Sequence, residues 1–82
     1  MTILQQTTQL AELAAGERAS IIHLGYGTGI ASRLTSLGFT PGAEIMMTQN
    51  SGRGPLVVTV RGTRVALGRQ EARAIQVQRN PG

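Results

Sequence analysis

The 82-residue chain predicts a mainly β fold, a small closed barrel with one short α-helix inserted after the first strand. Three observations point there. Apolar residues alternate with polar ones in several short segments, which is the period of a half-buried strand. Only residues 28–37 carry a helical period over more than a turn. The connections between elements are short and rich in glycine, and only one helix is long enough to separate parallel strands.

Met1 to Thr7, rich in Thr and Gln, reads as a loose arm. Thr8 or Gln9 opens a single turn bearing Leu10 and Leu13, ended by Gly16. Arg18–Leu24 is the first strand; its adjacent Ile21 and Ile22 leave the in/out alternation open, and strict alternation puts His23 on the face of Ile21. Gly25–Gly29 is a loop leading into the helix. Thr28 can cap the first turn with its hydroxyl. Ile30, Leu34 and Leu37 follow at i, i+4 and i+7 on one face. Gly38 is positioned for a left-handed stop, with Phe39 as its hydrophobic partner. Thr40-Pro41-Gly42 turns the chain into a second strand, Glu44–Gln49, with Ile45 and Met47 on one face. Asn50–Gly54 is a turn. Pro55 opens a third strand in which Leu56, Val58 and Val60 point inward. Arg61-Gly62 is a two-residue hairpin returning through Thr63–Leu67. Gly68–Arg73 forms one short helical turn, Ile75–Val77 a last strand and 79–82 a tail. The predicted core is Leu10, Leu13, Ile21, Ile30, Leu34, Leu37, Phe39, Ile45, Met47, Leu56, Val58, Val60, Val65, Leu67, Ile75 and Val77.

Composition narrows the function. There is no cysteine, so neither a disulfide nor a thiolate metal site contributes. The only aromatic residues are Tyr26 and Phe39, and aliphatic packing has to supply the core. All eight basic residues are arginine, lysine and aspartate are absent, and the formal net charge is +4. That balance fits nucleic acid, an acidic protein partner or an anionic membrane face. No apolar run approaches the ~20 residues of a membrane span. The start lacks the basic and apolar regions of a signal peptide, and the expected location is the cytoplasm.

Arg33-Leu34-x-x-Leu37-Gly38-Phe39-x-Pro41-Gly42 resembles the L-x-x-L-G-[FM]-x-P-G core of the FeoA family, ferrous iron transport protein A. Leu10-x-x-Leu13-x-x-Gly16 is similar to the family's opening turn. Pro55-Leu56-x-Val58-x-Val60-x-Gly62 and Val65-Ala66-Leu67-Gly68-x-x-x-Ala72-x-x-Ile75-x-Val77 are similar to its closing strands. The resemblance covers residues 8–78, which makes one domain, flanked by an arm (1–7) and a tail (79–82). It implies an SH3-like β-barrel and a non-catalytic accessory role in bacterial ferrous iron uptake. The implied partner is FeoB, a membrane permease with a cytoplasmic GTP-binding domain, through which the protein would lie peripheral to the membrane. The alternative is a small basic β-barrel binding nucleic acid.

The candidate chemistry is sparse. Gly25-x-Gly27-x-Gly29 lacks the third glycine and the βαβ unit of a dinucleotide site, and no Gly-Lys-Ser/Thr follows it. His23 is the single histidine and only a weak metal candidate, with Glu44, Met46 or Met47 as conceivable company. The four glutamates are scattered and no serine has a base other than His23, so no catalytic residues and no cofactor are assigned. Small barrels that bind single strands present several stacking aromatics, which this chain lacks, so nucleic acid is not the expected partner. Clustered aromatics for proline-rich peptides are missing as well. The outer side of the helix, Arg33 and Ser36, with Tyr26 and Thr28 of the adjoining loop, is the expected partner-binding surface. Tyr and Arg join a broad face to a polar tip and are favoured anchors.

Overall fold

The computed structural model describes residues 7–25 and 28–80, with only the backbone of residues 28–30. In chain order the elements are β1 (Thr7–Gln9), a 3-10 turn (Leu10–Glu12), β2 (Arg18–Leu24), α1 (Thr28–Ser36), β3 (Glu44–Gln49), β4 (Leu56–Val60), β5 (Thr63–Leu67), α2 (Arg69–Arg73) and β6 (Ile75–Arg79). All strand pairs are antiparallel, in one six-stranded sheet ordered β1-β6-β2-β3-β4-β5.

Two features of the predicted architecture are corrected. The helix follows the second strand, because Thr7–Gln9 forms a strand of its own, registering Thr7 with Gln78 and Gln9 with Gln76. The sheet is not closed into a barrel, since β1 and β5 end the hydrogen-bonded order and do not pair with each other. β1 has only three residues and is matched along its whole length to β6. Beside that edge the 3-10 turn packs on α2, burying Leu10, Leu13 and Ala72.

The core follows the strand period. In β4, Leu56, Val58 and Val60 are fully buried while Val57 and Thr59 are half-buried. Leu10, Leu13, Ile21, Leu34, Phe39, Ile45, Met47, Leu67, Ile75 and Val77 join them, and so do Ala19, Ala43 and Ala72, which the pattern did not single out. Among the described residues no large polar or charged side chain is buried. Leu37 departs from expectation at 38% exposed. The helix ends at Ser36, one residue earlier, and Phe39 takes the core place against Leu34. Val65 is only packed against the core's margin, because β5 is an edge strand. The side chain of Ile30 lies outside the described residues.

Two turns fix the layout. The hairpin residues Arg61 (φ 49°) and Gly62 (φ 77°) are both left-handed, the type I′ geometry whose twist suits the flanking strands. β2 carries a bulge between Ile21 and His23, which pair with Val77 and Gln76 respectively. Ile22 is the extra residue. It is 39% exposed, and the alternation restarts after it. His23 therefore does not share the face of Ile21; it is exposed while Leu24 turns back to the core's margin.

Candidate interaction surface

The C-terminus of α1 is set by local chemistry. Gly38 has φ 105° and donates its N–H to the Thr35 carbonyl at 3.0 Å, while Phe39 donates to Leu34 at 3.0 Å. These are the two hydrogen bonds of a Schellman stop, satisfying carbonyls that the helix leaves free. The same turn buries Leu34 and Phe39 and fixes which side of α1 faces out.

That outer side carries Arg33, Ser36 and Leu37, all exposed. Arg33 Nη2 donates to Glu71 Oε2 at 2.9 Å, with the arginine side chain 60% accessible. The other oxygen, Glu71 Oε1, accepts the Gly68 N–H at 3.0 Å at the start of α2. One carboxylate thus links α1 to the first turn of α2. Ser36 Oγ donates back to the Ser32 carbonyl at 2.9 Å, so its hydroxyl is occupied within the helix. Leu37 lies four residues from Arg33, at helix-neighbour spacing. Of the remaining expected residues, Thr28 begins α1, but its side chain, like the whole of Tyr26, lies outside the described residues.

His23 is not brought to the groups named with it. Glu44 pairs with Ser20 and Met46 with Arg18, further along β2, and Met47 is fully buried. Among the described residues no three His, Cys, Asp or Glu side chains come together.

The structure also ties down polar groups that no local pattern flagged. Asn50 Nδ2 donates to the carbonyls of Ala11 (3.1 Å) and Leu13 (2.8 Å). Its Oδ1 accepts from the Gly52 N–H (3.1 Å) and from Arg69 Nη2 (2.9 Å), while Arg69 Nη1 reaches the Gly54 carbonyl (3.1 Å). The turn after β3, the 3-10 turn and α2 are held by this one amide. Glu17 accepts the Ala14 N–H at 2.8 Å and pairs with Arg79 at 3.2 Å. The Ala14 N–H, aided by Arg79 and against partial desolvation, holds the Glu17 carboxyl below its ordinary value. Arg69 and Arg79 are thus committed to structure, whereas Arg33 pairs with Glu71 and stays largely accessible.

With this geometry the chain matches, over residues 8–79, the family described as the FeoA domain. It is 30% identical over 69 residues to a candidate Fe(2+) transport protein A of Methanocaldococcus jannaschii, covering 84% of this chain and 83% of that one. Among solved structures it is similar to a FeoA protein from Chlorobium tepidum, at TM-score 0.86 and 29% identity, over 92% of this chain and 72% of that one. It is similar also to a zinc-complexed FeoA of Stenotrophomonas maltophilia, described as a procaryotic SH3 domain protein, at TM-score 0.74 and 35% identity, over 85% and 88% of the two chains.

Proposed function

The chain belongs to the FeoA family, associated with ferrous iron transport, and on that premise we propose that it is a non-catalytic accessory protein docking on the cytoplasmic part of a FeoB-type permease. The observation that carries this reading is the family match over residues 8–79, from β1 to the last residue of β6. Docking changes the permease through differential affinity for its conformations or nucleotide states, and the protein needs no chemistry of its own for that. On this reading the protein works beside the permease's cytoplasmic part. Among its described residues no helix is long and apolar enough to cross a membrane.

The docking surface is the outer side of α1, Arg33 and Ser36 with Tyr26 and Thr28. The exposure of Leu37 supports it by adding an apolar contact one helical turn from Arg33. The Glu71 carboxylate limits the freedom of the guanidinium, so less side-chain entropy is lost when a partner stacks on it. The test is recovery of the permease from membranes by the parent protein and by a Tyr26→Ala, Arg33→Glu double variant, each checked for folding by circular dichroism. Recovery falls at least about tenfold in the variant if this face docks, a hot-spot effect of ~1.4 kcal/mol or more. Undiminished recovery removes the surface. Capture of nucleic acid by the parent, with steep salt dependence, removes the accessory reading altogether.

A further inference from the structure

The outer face of the sheet, opposite the core, carries a second feature. The registers align Arg18 with Met46, Met46 with Thr59, and Thr59 with Arg64, so these four side chains form one row across β2, β3, β4 and β5. Most of the row floors an open depression of about 610 Å³, lined by Arg18, Glu44, Met46, Thr59 and, at the hairpin tip, Arg61. Among the described residues Arg18, Arg61 and Arg64 have no carboxylate within ion-pair distance, in contrast to Arg33 and Arg79. The acid of the depression, Glu44, is hydrogen-bonded by Asn80 Nδ2 at 2.7 Å. Met46 and Thr59 are half-buried, so the middle of the row is low and partly apolar between cationic ends.

We infer that this trough binds an extended acidic protein segment of the pattern Glu-x-apolar-x-Glu laid across the strands. The spacing sets the pattern. Arg18 and Arg64 are three strand intervals apart, about 14 Å at ~4.8 Å each. In an extended peptide, residues i and i+4 point the same way and lie ~13.5 Å apart, at ~3.4 Å per residue. Carboxylates at those positions meet the two arginines while the side chain at i+2 rests on Met46, an adaptable thioether surface. Guanidinium forks match carboxylates in a planar, two-bond geometry, and Arg61 lines the depression as a further cation. Single-stranded nucleic acid fits less well, because among the described residues no aromatic side chain lines the trough for bases to stack on. This inference does not rest on the iron-uptake reading.

The probe is a dye-labelled nine-residue peptide, Ser-Ser-Glu-Ser-Leu-Ser-Glu-Ser-Ser, followed by fluorescence anisotropy and by backbone amide shifts at low salt. Binding with shifts centred on Arg18, Met46, Thr59 and Arg61 is expected. Moving the second glutamate next to the first weakens it severalfold. An Arg18→Glu, Arg64→Glu variant weakens it at least about tenfold, the scale of losing charge-assisted contacts. An Arg53→Glu, Arg73→Glu variant, with the same change in net charge away from the trough, stays within about threefold of the parent once ionic strength is matched. Equal loss in both variants reduces the effect to net charge and overturns the proposal. So does an affinity of the parent weaker than about 1 mM, or tighter binding of a ten-nucleotide oligothymidylate under the same conditions.

Discussion

Replacing Gly38 with alanine isolates the backbone contribution to the helix stop. Gly38 sits at φ 105°, where an L side chain is strained whatever the surrounding space. A Cβ built there also meets Arg61 Cδ at 2.8 Å, Nε at 3.2 Å and Cγ at 3.3 Å. The backbone term is about 1–2 kcal/mol. The contact term is small, because the obstructing atoms belong to a long exposed side chain that can swing away. The sum is large for a chain this short, whose total stability is expected to be ~5–15 kcal/mol. It corresponds to a drop in Tm of about 4–16 °C. The two terms separate in a double-mutant cycle with Arg61→Gly, a substitution suited to the φ of 49° at that turn position. Urea denaturation of the four proteins should give Gly38→Ala nearly the same cost with and without the Arg61 side chain, with a coupling below about 0.5 kcal/mol. A total cost below ~0.5 kcal/mol would refute the strain argument. A coupling that absorbs most of the cost would show that crowding against Arg61, not the backbone, sets the requirement for glycine.

Three further outcomes are expected. Leu34→Ala, at a fully buried site packed with Phe39, should cost about 2–5 kcal/mol by denaturant titration, and a cost under ~1 kcal/mol would mean that the helix does not seal the core. Asn50→Ala should cost about 1–3 kcal/mol, since it strips the Ala11 and Leu13 carbonyls and the Arg69 guanidinium of a partner at once; amide exchange in the Leu10–Leu13 segment should quicken with it. Glu17 has a lowered carboxyl pKa in the fold, so its stabilisation is complete above the unfolded value of ~4.3 and disappears as pH falls through the lower folded value. Thermal melts of the parent and Glu17→Gln should therefore differ most near neutral pH and converge as the pH falls below the ordinary carboxylate range, and a gap that widens on acidification would contradict the assignment.

Features encoded within a few residues were legible in the sequence. The stop at Gly38-Phe39 and the Arg61-Gly62 hairpin depend on backbone preferences that the residues themselves declare. The inward faces of β3 and β4 were legible for the same reason: alternation survives wherever one side of a strand meets the core. What was missed depends on distant partners. β1 has no apolar alternation, and its Thr-Thr-Gln sequence becomes a strand only because β6 runs beside it. The bulge at Ile22 is hidden in an apolar pair that reads equally well in either register. Leu37 keeps the helical period but falls in the turn that leaves the helix, where Phe39 outcompetes it for the core. At the candidate surface, the sequence marked Arg33 as outward but gave no sign of Glu71, because the pair is separated by 38 positions. The hub at Asn50 was invisible for the same reason: a turn residue that merely tolerates left-handed backbone also holds three segments together.

The sheet order has a consequence for how this protein comes into being on the ribosome. β6 lies between β1 and β2, so the earliest strands of the chain become neighbours only through the last one. Until Ile75–Arg79 leaves the exit tunnel, β1 has no partner and β2 has one bare side, with Ile21 and Leu24 lacking the cover of Val77 and Ile75. The complete sheet must await the emergence of β6, and it pairs residues some seventy positions apart, which slows folding. During that interval the nascent protein presents a row of unpaired backbone groups next to exposed aliphatic side chains, the kind of surface that recruits chaperones or other strands. Emergence of β6, rather than growth of a stable core strand by strand, sets the moment at which a partner can first find the complete folded surface.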